Sequence, residues 1–136
     1  MADKLLVVMA NTDLTNPAEH VSPLLQATFA AAMEYEVEIL LTVQAGKLAM
    51  KGVAEKMVFM EDDKKTVYDH IKQAKTAGVI FKVCTPALKF WGEDLIAEIT
   101  ETVGGAYIIS EAMNDGVVTF NYSYVHYSGS GSGCSG

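Results

Sequence analysis

Cysteine is scarce in this chain: Cys84 and Cys134 are the 2 cysteines in 136 residues. Two thiols, one of them in a Gly/Ser tail, make no disulfide framework, so Cys84 is expected to be a free thiol in a reducing compartment. Positive charge is also in short supply. Ten basic residues against 17 carboxylates leave a net charge of −7 and a pI near 4.8. That balance argues against a nucleic-acid surface, where lysine and arginine must neutralise phosphates. Long apolar runs are missing too. The first, Leu5-Leu6-Val7-Val8-Met9-Ala10, is too short to span a membrane and lacks a signal-peptide layout, so the expected location is cytoplasmic. His20, His70 and His126 are scattered, with no His-x-x-x-His pair or cysteine cluster, which speaks against a metal site. His70 is expected on the solvated side of its helix. Gly46 and Gly104-Gly105 fit neither phosphate-binding glycine pattern, so no nucleotide loop is expected. Asp62, Asp63, Lys64 and Lys65 read as a charged turn.

What is present is alternation. Leu5 to Met9, Glu36 to Thr42, Gly78 to Cys84, Ile99 to Val103 and Val117 to Phe120 read as strands, rich in β-branched and apolar residues. Between them lie helical patterns. One starts at Asn16-Pro17-Ala18-Glu19 or at Ser22-Pro23, with Leu25, Thr28, Phe29, Ala32 and Met33 forming its apolar stripe. A short helix around Leu48-Ala49-Met50 is ended by Gly52, and Lys56 to Met60 suits either a strand or a helical turn. Asp63 is a candidate cap for a helix whose Val67, Ile71 and Ala74 share a face and which Gly78 stops. Pro86 to Trp91 and Ala106 to Met113 are the last helical stretches. Strands alternating with helices predict a three-layer α/β fold, a mostly parallel five-stranded sheet with helices on both faces. Residues 1–122 are expected to form one domain. Residues 123–136 are a flexible extension, ending in a Gly/Ser stretch with a cysteine that resembles a linker with a conjugation handle.

Cys84 is the residue on which the chemistry turns. It closes an apolar strand and is followed by Thr85, a candidate helix cap, and Pro86, suited to a first helical position. Unpaired N–H groups and the helix dipole at such a junction favour thiolate over thiol, lowering the pKa from its free value of about 8.5. In an open parallel sheet, ligands gather outside the carboxyl ends of the strands. Three loops should meet there, so Asn11, Thr12, Gln44 and Thr85 are the candidate substrate-binding residues around a catalytic Cys84. The competing role for Cys84 is small core filling. Phe90 and Trp91 either wall the thiol or anchor their short helix, and the second is favoured.

Several segments together resemble the DsrE-like sulfur-transfer family, in particular members associated with sulfur oxidation. They are Lys4 to Asp13, then Phe81-Lys82-Val83-Cys84-Thr85-Pro86-Ala87-Leu88, and Val103-Gly104-Gly105-Ala106 leading to Val117-Val118-Thr119-Phe120. The resemblance implies a small α/β domain assembling as a homo-oligomer, trimer or hexamer. It also implies a cysteine, by position Cys84, that carries sulfane sulfur as a persulfide and hands it to a TusA-type carrier or a related thiol acceptor.

The chain also departs from that family. Where relatives usually read Thr-Gly-Arg before Ala-Gly, this sequence reads Thr42-Val43-Gln44-Ala45-Gly46. Apolar residues at Leu24, Leu25, Val43, Leu48, Ala49, Met50 and Met57 to Met60 outnumber what surface loops usually carry, and apolar surface marks interfaces. With the linker-like tail, they support an alternative expectation: an engineered DsrE-like trimer, redesigned as a building block of a symmetric assembly with a designed partner chain and no retained catalysis.

Overall fold

The structure is a computed structural model that describes residues 3–10, 16–58 and 65–122. The strands are β1 (Lys4–Met9), β2 (Glu36–Leu41), β3 (Ile80–Cys84), β4 (Ile99–Val103) and β5 (Val117–Tyr122), and all of them pair in parallel in the order β4-β3-β2-β1-β5. The α-helices are α1 (Ala18–Ala32), α2 (Val67–Ala77), α3 (Thr85–Trp91) and α4 (Ala106–Ala112); two 3-10 segments, Val43–Ala49 and Ala54–Lys56, lie between β2 and α2. The expected three-layer α/β fold is therefore present.

Alternation along parallel strands sends successive side chains to opposite faces. Val7, Met9, Val37, Ile39, Leu41, Phe81 and Val83 enter one core with Val21, Leu24, Ile71, Ala74 and Ala87, so α1, α2 and α3 cover that face. Leu6, Val8, Leu40 and Cys84 form a smaller cluster on the other face, against Val103, Tyr107 and Ile108. The connection from β4 to β5 runs from one sheet edge to the other, and α4 is the helix it lays across this second face.

Local chemistry sets the ends of these elements. Asn16 accepts from the Ala18 amide (3.2 Å) and reaches Glu19, which selects the earlier of the two possible α1 starts; Pro23 sits inside the helix. Thr66 caps α2 through a reciprocal pair with Asp69. The cap is thus Thr66, whereas Asp63, the sequence candidate, lies outside the described residues, as do Phe59 and Met60 of the expected strand or helical turn and Asp62 and Lys64 of the expected charged turn. Gly78 closes α2 with φ 113°, a conformation that favours glycine.

Two expectations about helix faces need correction. The buried residues of α1 are His20, Val21, Pro23, Leu24 and Ala27, not the Leu25–Met33 stripe; Phe29 and Met33 are exposed. Of that stripe, Leu25 is half-buried against the core, whereas Phe29 and Met33 line a groove with Phe120 of β5. His70 is not a surface histidine. It is buried together with Val67, Ile71 and Ala74, because the inward arc of α2 is wide enough to include it. Among the apolar residues expected at the surface, Leu24, Leu48, Ala49 and Met50 fill the chain's own core, leaving Val43 and Val58 exposed.

Candidate functional site

The last residue of β3 is also the first boundary of α3. Cys84 occupies the N-cap position with φ −77° and ψ 134°, Thr85 opens the helix and Pro86 follows within its first turn. The sequence assigned the cap to Thr85. That hydroxyl instead donates to the Val103 carbonyl (3.3 Å), tying the start of α3 to the end of β4. The Cys84 side chain is 4% exposed and packs with Leu6, Val8 and Leu40 under Val103, Tyr107 and Ile108.

Lys82 precedes Cys84 on the same face of the same strand, and it anchors a buried polar network. Its ammonium donates to the Tyr107 hydroxyl (3.0 Å) and pairs with Glu38 (3.2 Å) and, more loosely, with Glu101 (3.5 Å). Lys4 pairs with the other oxygen of Glu38 (2.9 Å) and with Glu111 of α4. Tyr107 donates to Glu38 and lies 3.1 Å from Glu111. Burial alone would raise the Glu38 carboxyl, but hydrogen bonds from Tyr107, Lys4 and Lys82 outweigh it and hold the group below the usual carboxylate range. Burial likewise works against both ammonium groups. The bonds from Lys4 to Glu111 and Glu38, and from Lys82 to Tyr107 and Glu38, outweigh it and push both lysines up. Burial and the Glu38 contact raise the Tyr107 phenol. This network holds α4, none of whose residues is buried, onto the sheet. Sequence reading missed it, although Lys82 and Glu38 inside otherwise apolar strands were its visible signal, since buried charges persist only when paired.

Gln44 lies on the opposite side. It is exposed in the 3-10 segment after β2 and lines an open pocket of about 240 Å³ with Val43, Phe90 and Trp91. Trp91 donates from Nε1 to the Val43 carbonyl (2.9 Å), and Lys47 lies over its ring at 5.1 Å, so Trp91 is the anchor of α3 while Phe90 is 78% exposed. Gly46 permits this approach: a Cβ there would lie 2.6 Å from the Ala87 Cβ. Val43 has φ +53°, a left-handed conformation that is a steric outlier for a β-branched side chain. Cys84 therefore faces the α4 layer and Gln44 the α3 layer, with Thr85 exposed between strand and helix. Asn11 and Thr12 lie outside the described residues.

Strand order sharpens the geometry. It runs outward from β1 to β4 and then reverses to place β5 beyond β1, so the switch point lies between β1 and β5. Crevices for ligands open at such points, at the carboxyl ends of the strands. Here that position is at the carboxyl ends of β1 and β5, while Cys84 ends a strand two places away.

Among the described residues no group of three or more His, Cys, Asp or Glu side chains is arranged to hold a metal ion, and no helix is long and apolar enough to cross a membrane. No protein-family model matches the sequence, and no curated protein matches it at a significant level.

Proposed function

We propose that this chain is a DsrE-like sulfur carrier in which Cys84 holds sulfane sulfur as a persulfide. The observation that carries the reading is the position of Cys84, at the carboxyl end of a parallel strand and the N-cap of the following helix. In the first step the Cys84 thiolate attacks the outer sulfur of a donor persulfide. The donor S–S bond breaks, its thiolate leaves, and Cys84 carries the outer sulfur. In the second step the thiolate of a TusA-type or related acceptor attacks that outer sulfur and releases the Cys84 thiolate. The exchange is balanced without net oxidation and needs no cofactor. With Cys84 only 4% exposed, loading requires the α4 cover to move, so the reaction rate reports that movement.

The test is peptide-resolved mass spectrometry after incubation with polysulfide, on a chain truncated before Cys134. Sulfur added at Cys84 and transferable to an acceptor thiol supports the carrier. Labelling that appears only after denaturation overturns it. Cys84→Ser abolishes loading while the thermal transition stays cooperative; loss of the fold would instead make Cys84 a packing residue.

A second reading is favoured by a specific observation: Phe29, Met33, Tyr35, Val118 and Phe120 leave apolar surface uncovered beside the unpaired edge of β5. On this reading the chain is an assembly subunit, an engineered DsrE-like scaffold without retained catalysis. Its solution mass separates the forms, a trimer fitting the natural scaffold and a much larger closed particle the redesigned one.

A further inference from the structure

Helices α1, α2 and α3 each bury side chains in the main core, whereas α4 buries none. With 7 residues, α4 is also too short to be stable by itself. Tyr107, Ile108 and Glu111 are half-buried, and its remaining residues are exposed. Ile108 packs on the cluster of Leu6, Val8, Leu40 and Cys84. Glu111 belongs to the polar network through Lys4. Of the three, Tyr107 alone does both. Its side chain lies on the Cys84 cluster, and the Lys82 ammonium stands 4.6 Å from its ring. Its hydroxyl donates to Glu38, accepts from Lys82 (3.0 Å) and lies 3.1 Å from Glu111.

We infer that Tyr107 is the latch of the Cys84 site: α4 detaches from the sheet while the rest of the fold stays intact, and the Tyr107 hydroxyl sets how often it does so. The inference rests on the carrier reading above and names what regulates access to its thiol. Lifting α4 returns Lys4, Glu38 and Lys82 to water, where hydration replaces the contacts that are lost, and uncovers one small apolar cluster. Opening the other face would expose Val7, Ile39, Phe81 and their neighbours with no such compensation. Access to Cys84 therefore runs through a local opening at the low-stability end of the fold. Tyr107 is a positioning residue in this role, acting through the helix and not on sulfur. A donor or acceptor has to capture the open form, so its apparent affinity is reduced by the fraction of chains that are open.

Native-state alkylation tests this. The full chain is incubated with iodoacetamide at increasing, sub-denaturing urea, and label at Cys84 is followed by peptide-resolved mass spectrometry, which separates it from label at Cys134. Access through α4 gives a rate that depends weakly on urea, because little surface is exposed; access through global unfolding gives a steep dependence. Tyr107→Phe keeps the ring over the cluster and removes the hydroxyl. It should raise the rate about tenfold or more, as the loss of a hydrogen bond to a charged group predicts, and retain the weak urea dependence. Glu111→Gln, which loosens the same helix at Lys4, should raise the rate by less. Phe81→Ala, which destabilises the opposite face, should leave the rate without urea unchanged. A Tyr107→Phe rate no faster than the parent's overturns the latch and leaves the carrier reading standing. A rate that follows global unfolding overturns both, because the folded chain then offers no path to the thiol. A latch that behaves as stated, in a chain that takes up no sulfur from polysulfide at Cys84, overturns the carrier reading alone.

Discussion

On the face covered by α1, α2 and α3, the strands present Val7, Ile39 and Phe81, all fully buried; on the face crossed by α4, the same strands present Lys4, Glu38 and Lys82. Two sides of one sheet are closed by different forces. The first is sealed by removal of apolar surface from water, which is non-directional and tolerates any side chain of suitable volume. The second is held by a network in which two lysines share one carboxylate and a phenol. Such a network is directional and contributes only while its members are ionised in the right pattern. A sheet can hold charge inside where one strand supplies the shared countercharge, here Glu38, and a single helix adds further partners, here Tyr107 and Glu111.

Breaking the apolar face should have the largest effect. Phe81→Ala removes a ring with no solvent exposure and is expected to cost about 3–5 kcal/mol, read as a lower midpoint in denaturant titration. Glu38→Gln attacks the other face. It leaves Lys4 and Lys82 buried without their shared countercharge, at an expected cost of about 3 kcal/mol. Its pH signature separates the faces. Glu38 is held below its ordinary value, so its contribution is present above the unfolded carboxylate pKa and is lost as pH falls through the folded one. Lys4, Lys82 and Tyr107 are raised, so their contributions are full below their unfolded values and are lost as pH rises through the folded ones. Stability of the parent should therefore decline below the usual carboxylate range and again above the usual lysine range. Glu38→Gln should flatten the acid limb, whereas Phe81→Ala should shift the whole curve and keep its shape. The smallest effect belongs to the rim between the faces. Val43→Gly relieves the strained backbone and is expected to stabilise the isolated chain by about 0.5–1 kcal/mol after glycine's greater unfolded-state entropy is counted.

The strands were the legible part of the sequence. Ile99 to Val103 matches β4 end to end, and the remaining strands fall within their expected runs apart from terminal residues. Parallel strands buried on both sides are nearly continuous apolar runs, and that signal survives without tertiary information. Helix faces were harder, because a helix such as α1 has two apolar arcs. Val21, Leu24 and Ala27 make one and Phe29 and Met33 lie on the other; only the sheet's position decides which is core. Of the candidate site, the strand–helix junction at Cys84 was readable from Cys84-Thr85-Pro86. The side to which the thiol points was not, since it depends on strand parity and on which face α4 crosses. The side on which Gln44 lies was hidden for the same reason: its segment lines a pocket with Phe90 and Trp91 of α3.

The route of the last connection also governs when the fold can be completed. β1 pairs on one side with β2 and on the other with β5, Lys4 lying opposite both Glu36 and Val117. β1, which precedes the other described strands, therefore acquires its second neighbour only after all of them have been made. Until then the Leu5–Met9 backbone is an open edge, vulnerable to pairing with another nascent chain. Closure by β5 joins strands between which all the other described strands lie in sequence, a slow step on loop-closure grounds. Any element appended after Tyr122 must leave that step undisturbed.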